Sequence, residues 1–554
     1  MTSTKLRARP DLHFAPVPGG VYLSGTRGQV VLRGSDVLHA VAEGCVPLLE
    51  NGATEDELVA ELGTERSRPA VRHLVGKLRD AGLLLDPGAF TVPEPSPEER
   101  APHAESVARL EARLDDPYAA FARLRAARVL VAGPSQATGP AARGLRRAGV
   151  GEVTVVEAPG SYDNGSYDNG YEGADAVLEM RTAADGTRLE LPSAAHHLTV
   201  LLGDTVHVVG PVLAGGPEGA EAFHERALSW ADESEGPVPR PVADAVAGAL
   251  AGQLLIDTLT GTADAGEAHV VHGADLVSDR VTVGGARMAA ATGRPGSLLT
   301  DVLSTPMPEP EDAREPAVAL AGRFTGLFAY TADEGLPQMP LALRAVEQRG
   351  ERAGTLVAWG PHQETATVAA ALLALRDRAP GAAAGLTEEH WLLDGALRLL
   401  APRAVELAGA DASPDAEGER IRSALRQLVD GEPRLALRHV PGIDWPLAEV
   451  TTAAGELLGT GWGSTSEEAL RAALCEAVAH AQTGRPPQLS TDALLFADRA
   501  VTGALRAQLT THADTLGIAW CGHPVAADPV LGEIPFWYGP VEAAERTRET
   551  HDAQ

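Results

Sequence analysis

The sequence predicts a multidomain α/β protein, and three observations lead to this fold class. The chain has 554 residues, enough for three to four domains at roughly 100–200 residues each. Strand-like runs and amphipathic helical patterns alternate along it, and one stretch has the strand–turn–helix–strand order of a βαβ unit. The C-terminal half also contains a weak internal repeat. We therefore divide the chain into four segments: 1–90, 91–119, 120–300 and 315–554.

Residues 1–90 have the pattern of a small winged-helix-like domain. Three β-like runs, LHFAPVP, GVYLSG and QVVLRG, are separated by glycine-containing turns. Helical patterns follow at about 35–49, from Thr54 and from about Ser67 to Asp80. Thr54 and Glu57 have the spacing of a capping box, and Pro69 lies in the first turn of the third helix. Three strands and three helices are therefore expected here.

The next two segments are a linker and an α/β domain. Residues 91–119 are rich in Pro and Glu and predict a linker with a short helix near 104–114. Residues 128–158 then give an apolar strand, a glycine-containing turn, a helix and a second strand. Strand-like runs at 196–202 and 205–213 and a helix at about 241–259 extend this Rossmann-like domain over 120–300.

The C-terminal segment, 315–554, carries the repeat. Residues 356–378 and 457–481 each place a short strand and a polar turn before an Ala-rich helix. When Ala366 is placed on Ala469, the second copy has Glu476 where the first has Leu373. Duplicated strand–helix units of an α/β domain would produce this pattern.

Composition excludes several classes of function. The chain carries 46 basic and 76 acidic residues, and a net charge of −30 repels phosphate backbones over most of the surface. We therefore expect no nucleic-acid partner. Three cysteines are too few for a disulfide framework or a four-cysteine zinc site. Neither a long apolar run nor a signal peptide is apparent, so we expect a cytoplasmic protein without a membrane partner.

The chemical motifs predict no catalytic site in this chain. The βαβ turn reads Gly133-Pro134-Ser135-Gln136-Ala137-Thr138, so Ser135 and Thr138 stand where a nucleotide fingerprint has glycines. Pro134 also removes a backbone donor. No lysine follows Lys77 to hold a phosphate or form a Schiff base. His196, His197, His224 and the Cys521-Gly522-His523 triplet lack a second ligand cluster, so we expect surface or capping roles and no metal.

The first domain offers a peptide-binding site. An exposed sheet edge accepts an added strand through main-chain hydrogen bonds, and neighbouring pockets select side chains. The natural edge is the third run, with Gln29, Val30, Val31, Leu32 and Arg33. The third helix would supply an apolar wall and cations to hold acidic residues: Val71, Leu74 and Leu78, with Arg72, Lys77 and Arg79. The alternative is a plain core in which the Val and Leu residues are internal packing. Residues 1–90 contain 10 basic and 11 acidic residues, so an acidic peptide would be repelled least here.

These parts, in this order, resemble a family. The 9–86 module looks like the peptide-recognition element of RiPP biosynthesis. The 128–292 region, with Gly210-Pro211-Val212-Leu213, resembles a ThiF-like (ubiquitin-activating-enzyme-like) domain that has lost its zinc cysteines. The C-terminal half, with FTGLFAY, LPQMPL and GWGSTSEEALRAALCEAV, is similar to a reduced YcaO-type domain. The order resembles ThiF-like leader-peptide-binding partner proteins of YcaO cyclodehydratases in thiopeptide and other azol(in)e pathways.

The resemblance implies a non-catalytic partner-activating role. The chain would bind the leader peptide of a precursor and present its Cys, Ser and Thr residues to a separate YcaO cyclodehydratase, which would hold ATP and Mg. This chain itself would bind no cofactor. An adenylating ThiF-like enzyme that acts on a peptide is the alternative. A DNA-binding regulator is a weaker reading, because the chain is strongly acidic.

Overall fold

The computed structural model describes residues 5–35, 37–157, 173–183, 193–214, 220–287, 296–332, 335–349, 353–407 and 412–545. The chain divides into two compact units. The first contains Met1–His224 and Ala231–Val281, and the second contains Glu225–Trp230 and Thr282–Gln554. The second unit therefore starts ahead of the expected boundary at 300–315, and the first unit combines the three N-terminal segments.

The N-terminal part of the first unit contains the predicted three strands and three helices, with one further strand on either side. They are β1 (Arg7–Ala8), β2 (His13–Val17), β3 (Gly20–Gly25), β4 (Gly28–Arg33), α1 (Val37–Glu50), α2 (Glu55–Glu61), α3 (Arg68–Asp80) and β5 (Leu84–Leu85). The Thr54 capping box and the position of Pro69 at the start of α3 are confirmed. β2, β3 and β4 form an antiparallel sheet in that order, and β1 pairs with β5.

The segment expected as a linker is folded onto this domain. It contains α4 (Pro97–Arg100) and α5 (Ala104–Arg113), and α6 (Pro117–Ala126) follows. Val107 and Leu110 of α5 pack in a buried cluster with Tyr118 and Phe121. Pro and Glu residues dominate its composition, but the apolar residues of α5 recur at helical spacing and are buried, which explains why it is ordered.

The remainder of the first unit is a Rossmann-like layer of a mixed sheet and helices. Its elements are β6 (Arg128–Gly133), α7 (Ser135–Ala148), β7 (Glu152–Glu157), β8 (Ala176–Thr182), β9 (His196–Leu202), β10 (Val206–Leu213), the start of α8 (Glu221–Ser229), α9 (Val242–Thr260), β11 (Glu267–His272) and β12 (Val277–Thr282). The part of α8 from Glu225 onward and the last residue of β12 belong to the second unit. The strand order is β12-β11-β10-β9-β8-β6-β7, with β6 to β9 parallel. The βαβ prediction for 128–158 is confirmed.

Helices α7 and α9 cover one face of this sheet. Ala141 and Leu145 of α7 and Ala251 and Leu255 of α9 are fully buried against the strands. Within the described residues, α9 is the helix long and apolar enough to cross a membrane. A helix buried inside a domain can have the same apolar composition as a membrane-spanning helix. Because α9 packs on the sheet, we identify it as a core helix.

The second unit holds the remaining elements. They are β13 (Ser297–Leu298), α10 (Pro310–Ala319), β14 (Ala329–Tyr330), β15 (Ala342–Gln348), β16 (Gly354–Gly360), α11 (Gln363–Asp377), β17 (Ala382–Gly385), α12 (Glu388–Leu400), β18 (Val405–Glu406), α13 (Ala416–Leu425), β19 (Arg434–Val440), β20 (Ile443–Thr451), β21 (Leu457–Trp462), α14 (Ser466–Thr483), β22 (Leu489–Ser490), α15 (Arg499–Leu516), β23 (Ile518–Gly522), β24 (Ala527–Asp528), β25 (Gly532–Glu533) and β26 (Trp537–Glu545). Its three larger sheets have the orders β13-β23-β26-β17, β14-β15-β16 and β18-β19-β20-β21-β22.

The internal repeat predicted from the sequence is confirmed. The hairpin β15–β16 leads into α11, and the hairpin β20–β21 leads into α14. A Cβ on Gly360 would collide with the nitrogen of Ala366, and a Cβ on Gly463 would collide with that of Ala469. Glycine at both places lets the helix start directly over the strand end. The copies then diverge, because β22 adds to β21 in parallel whereas β17 pairs with β26.

Candidate functional site

The outer edge of β4 presents unpaired backbone groups. The Gly34 N–H donates to the Gly19 carbonyl at 2.9 Å, so these two residues are a hydrogen-bonded pair. This pair shows which of the opposing residues of β3 and β4 are hydrogen-bonded to each other. Bonded and non-bonded pairs alternate along an antiparallel ladder. The residues whose N–H and C=O groups turn to the outer edge are therefore Gln29, Val31 and Arg33. Among the described strands, β4 is the last in its sheet, so these three residues form its open edge.

The opposite edge of the sheet is blocked by a proline. Pro16 of β2 lies opposite Val21 of β3, whose backbone groups bond to β4. The nitrogen of Pro16 therefore faces the outer edge of β2, where proline has no hydrogen to donate. Proline at an edge strand prevents pairing with another chain. Of the two edges, β4 is the one open to an added strand.

The third helix meets β4 at its C-terminal end. A Cβ on Gly28 would lie 2.6 Å from the carbonyl oxygen of Ala81, so the end of α3 touches the start of β4. Lys77 lies one turn before Ala81 on the same flank and is exposed. It pairs with Asp80 at 3.7 Å. Of the three α3 cations, Lys77 is the one on the flank of the helix that carries Ala81, the residue in contact with β4.

The other two predicted cations lie on a different flank of α3. Arg72 pairs with Glu55 of α2, with Nε 3.3 Å from the carboxylate. Arg79 follows Arg72 by seven residues and so shares its flank. The predicted role of Arg72 at β4 is therefore not supported, because its guanidinium pairs with Glu55 of α2. By helical spacing, Arg79 lies on that same flank and not on the flank of Lys77 and Ala81. Arg33 on β4 supplies a second exposed cation at the edge.

The apolar residues predicted to wall a groove are core residues. Val71, Leu74 and Leu78 are at most 1% exposed, and Leu32 is 3% exposed. They pack together beneath the sheet, which agrees with the alternative interpretation that these residues are internal packing. Helical periodicity identified the apolar face of α3 but not what it packs against. Among the predicted edge residues, Val31 is 45% exposed.

Gln29 and Val30, two of the predicted edge residues, lie on opposite faces of the sheet. The hydroxyl of Tyr22 on β3 donates to Gln29 Oε1 at 2.7 Å, which holds Gln29 against the outer face of the sheet. Val30 is half-buried against the core. The outward face of β4 is therefore formed by Gln29, Val31 and Arg33, the same residues that carry the free backbone groups.

Sequence reasoning missed an arginine that anchors this domain. Arg9 is 1% exposed and donates to the carbonyls of Gly82, Glu111 and Leu114 and to the Asp115 carboxylate. The Arg27 guanidinium, in the turn that leads into β4, also pairs with Asp115. A buried arginine just after a short strand has no sequence signal apart from its partners, which lie between 73 and 106 residues away.

Packing explains the glycine in the βαβ turn. Gly133 has φ +138°, and a Cβ there would lie 2.5 Å from the Met180 carbonyl oxygen and 2.7 Å from its side chain. Pro134 is the N-cap of α7, which carries no side-chain cap. The glycine therefore serves the contact between β6 and β8, and the residues around it offer none of the additional glycines that bring a backbone close to phosphate.

The histidines considered from the sequence are not all at the surface. His197 and His224 are 4% and 3% exposed. His197 Nε2 lies 3.5 Å from the buried Glu179 carboxylate, and His224 Nε2 is 3.0 Å from the Gly210 carbonyl oxygen. Burial lowers the pKa of His224 to about 4. Throughout the described ranges, no group of three or more His, Cys, Asp or Glu side chains is placed to hold a metal ion.

The second unit contains a buried ionic cluster. Asp394 accepts from Arg376 at 3.0 Å, from Arg398 at 2.9 Å and from the backbone N–H of Ala384 in β17 at 2.9 Å. Burial alone would raise the pKa of Asp394, but the two guanidiniums and the Thr491 hydroxyl hold it below its ordinary value. In the part of the chain that the structure describes, β17 is the last strand of its sheet, and the Asp394 carboxylate accepts a hydrogen bond from its outer edge.

Glu476, singled out by the repeat, lies close to this cluster. It is 6% exposed and accepts from Trp359 Nε1 at 3.2 Å and from the Gln488 N–H at 2.6 Å. Burial raises its pKa to about 8. The carboxyl accepts two hydrogen bonds that join α14 to β16 and to the start of β22.

Comparisons with known proteins establish the fold. No family model and no curated protein matches the sequence. A solved heterocyclase in complex with substrate and cofactor matches with a TM-score of 0.56 and 14% identity over 98% of this chain and 95% of that chain. The heterocyclase TruD matches at 0.49 and 12% identity over 99% and 95%, and E. coli MccB with MccA at 0.36 and 10% over 52% and 98%. The chain is thus similar in fold to a heterocyclase along nearly its whole length.

Proposed function

We propose that this chain is a non-catalytic, leader-peptide-binding component of an azoline-forming cyclodehydratase in the cytoplasm. It captures the leader of a precursor peptide and presents the Cys, Ser and Thr residues of the core to a separate ATP-dependent YcaO enzyme. The observation that carries the proposal is the open backbone edge of β4, in a sheet whose opposite edge is closed by Pro16. An added strand at β4 gains main-chain hydrogen bonds without displacing any part of the protein.

The charges at the edge indicate the class of peptide. Arg33 is exposed on β4, Lys77 is exposed on the flank of α3 that meets β4, and residues 1–90 are nearly neutral in a chain of net charge −30. Acidic residues in the bound strand would gain from these two cations and would be repelled least in this domain. Because both cations are exposed, we expect the affinity to fall as salt rises.

The fold supports a role in peptide heterocyclisation. The heterocyclase with which the chain shares its fold is described as bound to substrate and cofactor. In this chain, Gly133 serves strand packing, Pro134 occupies the N-cap of α7, and Glu476 is tied to Trp359 and Gln488. These features favour a presenting subunit over the alternative, an adenylating enzyme.

The test measures binding and ATP turnover on the full chain. A fluorescent acidic leader peptide is titrated with the protein, and ATP hydrolysis is followed with and without that peptide. We expect saturable, salt-sensitive binding and no release of AMP or ADP above a blank. Peptide-dependent nucleotide release by the chain alone would favour the adenylating enzyme, and absence of any leader binding would refute the presenting role.

A further inference from the structure

An apolar groove lies on the second unit, beside β13. Its volume is about 710 Å³, and its walls include Leu298, Leu303, Leu386 and Trp537. Leu303 is 81% exposed, the highest value among the large apolar side chains of the described residues. The Trp537 ring stacks on buried Trp391 at a centroid distance of 5.9 Å, which fixes it in place. Exposed apolar surface of this kind marks a contact site on a protein.

The groove carries negative charge at its mouth. The Asp301 carboxylate accepts from the Thr300 hydroxyl at 2.9 Å, and Glu388 accepts from the Ser297 hydroxyl. Neither carboxylate forms an ion pair with any cation in the described parts of the chain. Two unneutralised carboxylates beside leucine and tryptophan side chains complement a segment in which apolar residues stand next to arginine or lysine.

The backbone at this edge does not offer a strand-pairing surface. β13 has two residues, and the Leu298 carbonyl already accepts from the Asp301 N–H at 3.0 Å. A partner strand would find no continuous row of donors and acceptors there. Recognition at the groove must therefore come from side chains, in contrast with the main-chain recognition available at β4.

We propose that this groove docks a segment of a partner protein in which an aliphatic or aromatic side chain is flanked by arginine or lysine. The partner's apolar side chain lies against Leu303 and Trp537, and its cations face Asp301 and Glu388. The identity of the partner as the ATP-dependent cyclodehydratase subunit rests on the proposed function. The chemistry of the docked segment does not, since it follows from the groove alone.

A displayed library of random 12-residue peptides, selected against the full chain, tests the proposal. We expect enriched peptides that combine apolar residues with arginine or lysine. Their affinity should fall about tenfold for Leu303→Asp, because an apolar contact is replaced by a charge. The isosteric pair Asp301→Asn and Glu388→Gln should weaken binding roughly threefold at low salt and little at high salt.

The matched control is Met339→Asp, which places the same charge on a side chain that is 78% exposed outside the groove. Binding that falls equally in the control, or enriched peptides unaffected by Leu303→Asp, would overturn the docking site. Competition with an acidic leader peptide separates the two sites. A leader that displaces the selected peptides would also contradict the proposal, whereas failure of the leader to bind β4 at all would refute only the proposed function.

Discussion

Glu476 shows how burial sets the protonation of a single side chain. Its pKa of about 8 lies above the ordinary value of 4.5 because the carboxyl is buried. The folded state therefore retains a proton that the unfolded state releases between about pH 4.5 and pH 8. The stability that this proton contributes is present at low pH and is lost as pH rises through that window.

We predict that Glu476→Gln removes this loss. The amide oxygen can accept from only one of the Trp359 and Gln488 N–H donors, so the variant loses a similar amount of stability at both pH values. Its free energy of unfolding should fall between pH 5 and pH 9 by less than that of the wild type, with a difference on the order of 1–3 kcal/mol. Thermal unfolding at the two pH values measures the difference. Glu467→Gln, at an exposed position on the same helix, is the control. An equal pH dependence in Glu476→Gln and wild type would show that the carboxyl is not protonated in the folded state.

At the scale of elements, the two edges of the N-terminal sheet differ because a proline blocks β2 but not β4. A proline substitution can therefore give β4 the property that closes β2. Pro16 closes the edge of β2 because its nitrogen faces outward. Val31 has its N–H in the equivalent outward direction on β4, so Val31→Pro would remove an edge donor without removing a bond to β3.

We predict that Val31→Pro weakens leader binding at least about tenfold, because the edge loses a main-chain hydrogen bond and the proline ring obstructs an added strand. Val31→Thr keeps the N–H and a β-branched side chain and should bind as the wild type does. Fluorescence anisotropy measures the affinities, and circular dichroism checks that both variants fold. Unchanged binding by folded Val31→Pro protein would remove β4 as the site.

Leu32→Asp is a poorer test of the same site. The sequence placed Leu32 in the binding groove, but the side chain is 3% exposed in the core. A charge there would be buried without a partner and would destabilise the domain. Loss of binding in that variant would therefore report unfolding as readily as loss of the site.

At the scale of the whole molecule, the contacts of the N-terminal domain extend beyond residue 90. Arg9 donates to the Glu111 and Leu114 carbonyls at 2.6 Å each, and its pairing with Asp115 is shared by Arg27. These bonds fasten the sheet to the segment after α5. The β4 edge is consequently held by residues well beyond the first three helices.

We predict that a fragment of residues 1–127 is more stable than a fragment of residues 1–90. Each hydrogen bond to a charged group contributes about 1.5–3 kcal/mol, so the shorter fragment should lose at least about 2 kcal/mol. Urea unfolding of the two fragments gives the comparison, and both are tested for leader binding. Equal stability would show that the Arg9 contacts contribute nothing to the domain.

Truncation tests the role of the second unit. A cut near residue 310 would leave residues such as Leu299 and Val302, which belong to a core that is otherwise removed. A chain that ends at residue 281 removes these residues and keeps only Glu225–Trp230 of the second unit. We predict that it binds leader with full affinity and fails to stimulate azoline formation by the cyclodehydratase. Full stimulation by residues 1–281 would show that the second unit is dispensable for partner activation.

The sequence by itself determined the local elements. Alternating apolar residues and glycine turns identified β2 to β4, capping and helical spacing identified α2 and α3, and the repeat identified the hairpin–helix pairs around α11 and α14. These signals depend on residues close together in the chain, where periodicity and turn chemistry act. The sequence alone also shows that the glycines of a nucleotide fingerprint are absent after Gly133.

Only the tertiary structure decided how those elements combine into a site. In the tertiary structure, Val71 and Leu78 lie in the core and Arg72 pairs with a residue of α2. The segment expected as a linker accepts hydrogen bonds from Arg9. The edge of β4 is open, whereas the edge of β2 is blocked by proline. The physical reason is that burial, ion pairing and edge pairing depend on which surface each element meets. The partners of Arg9 lie between 73 and 106 residues away, and no local pattern records them.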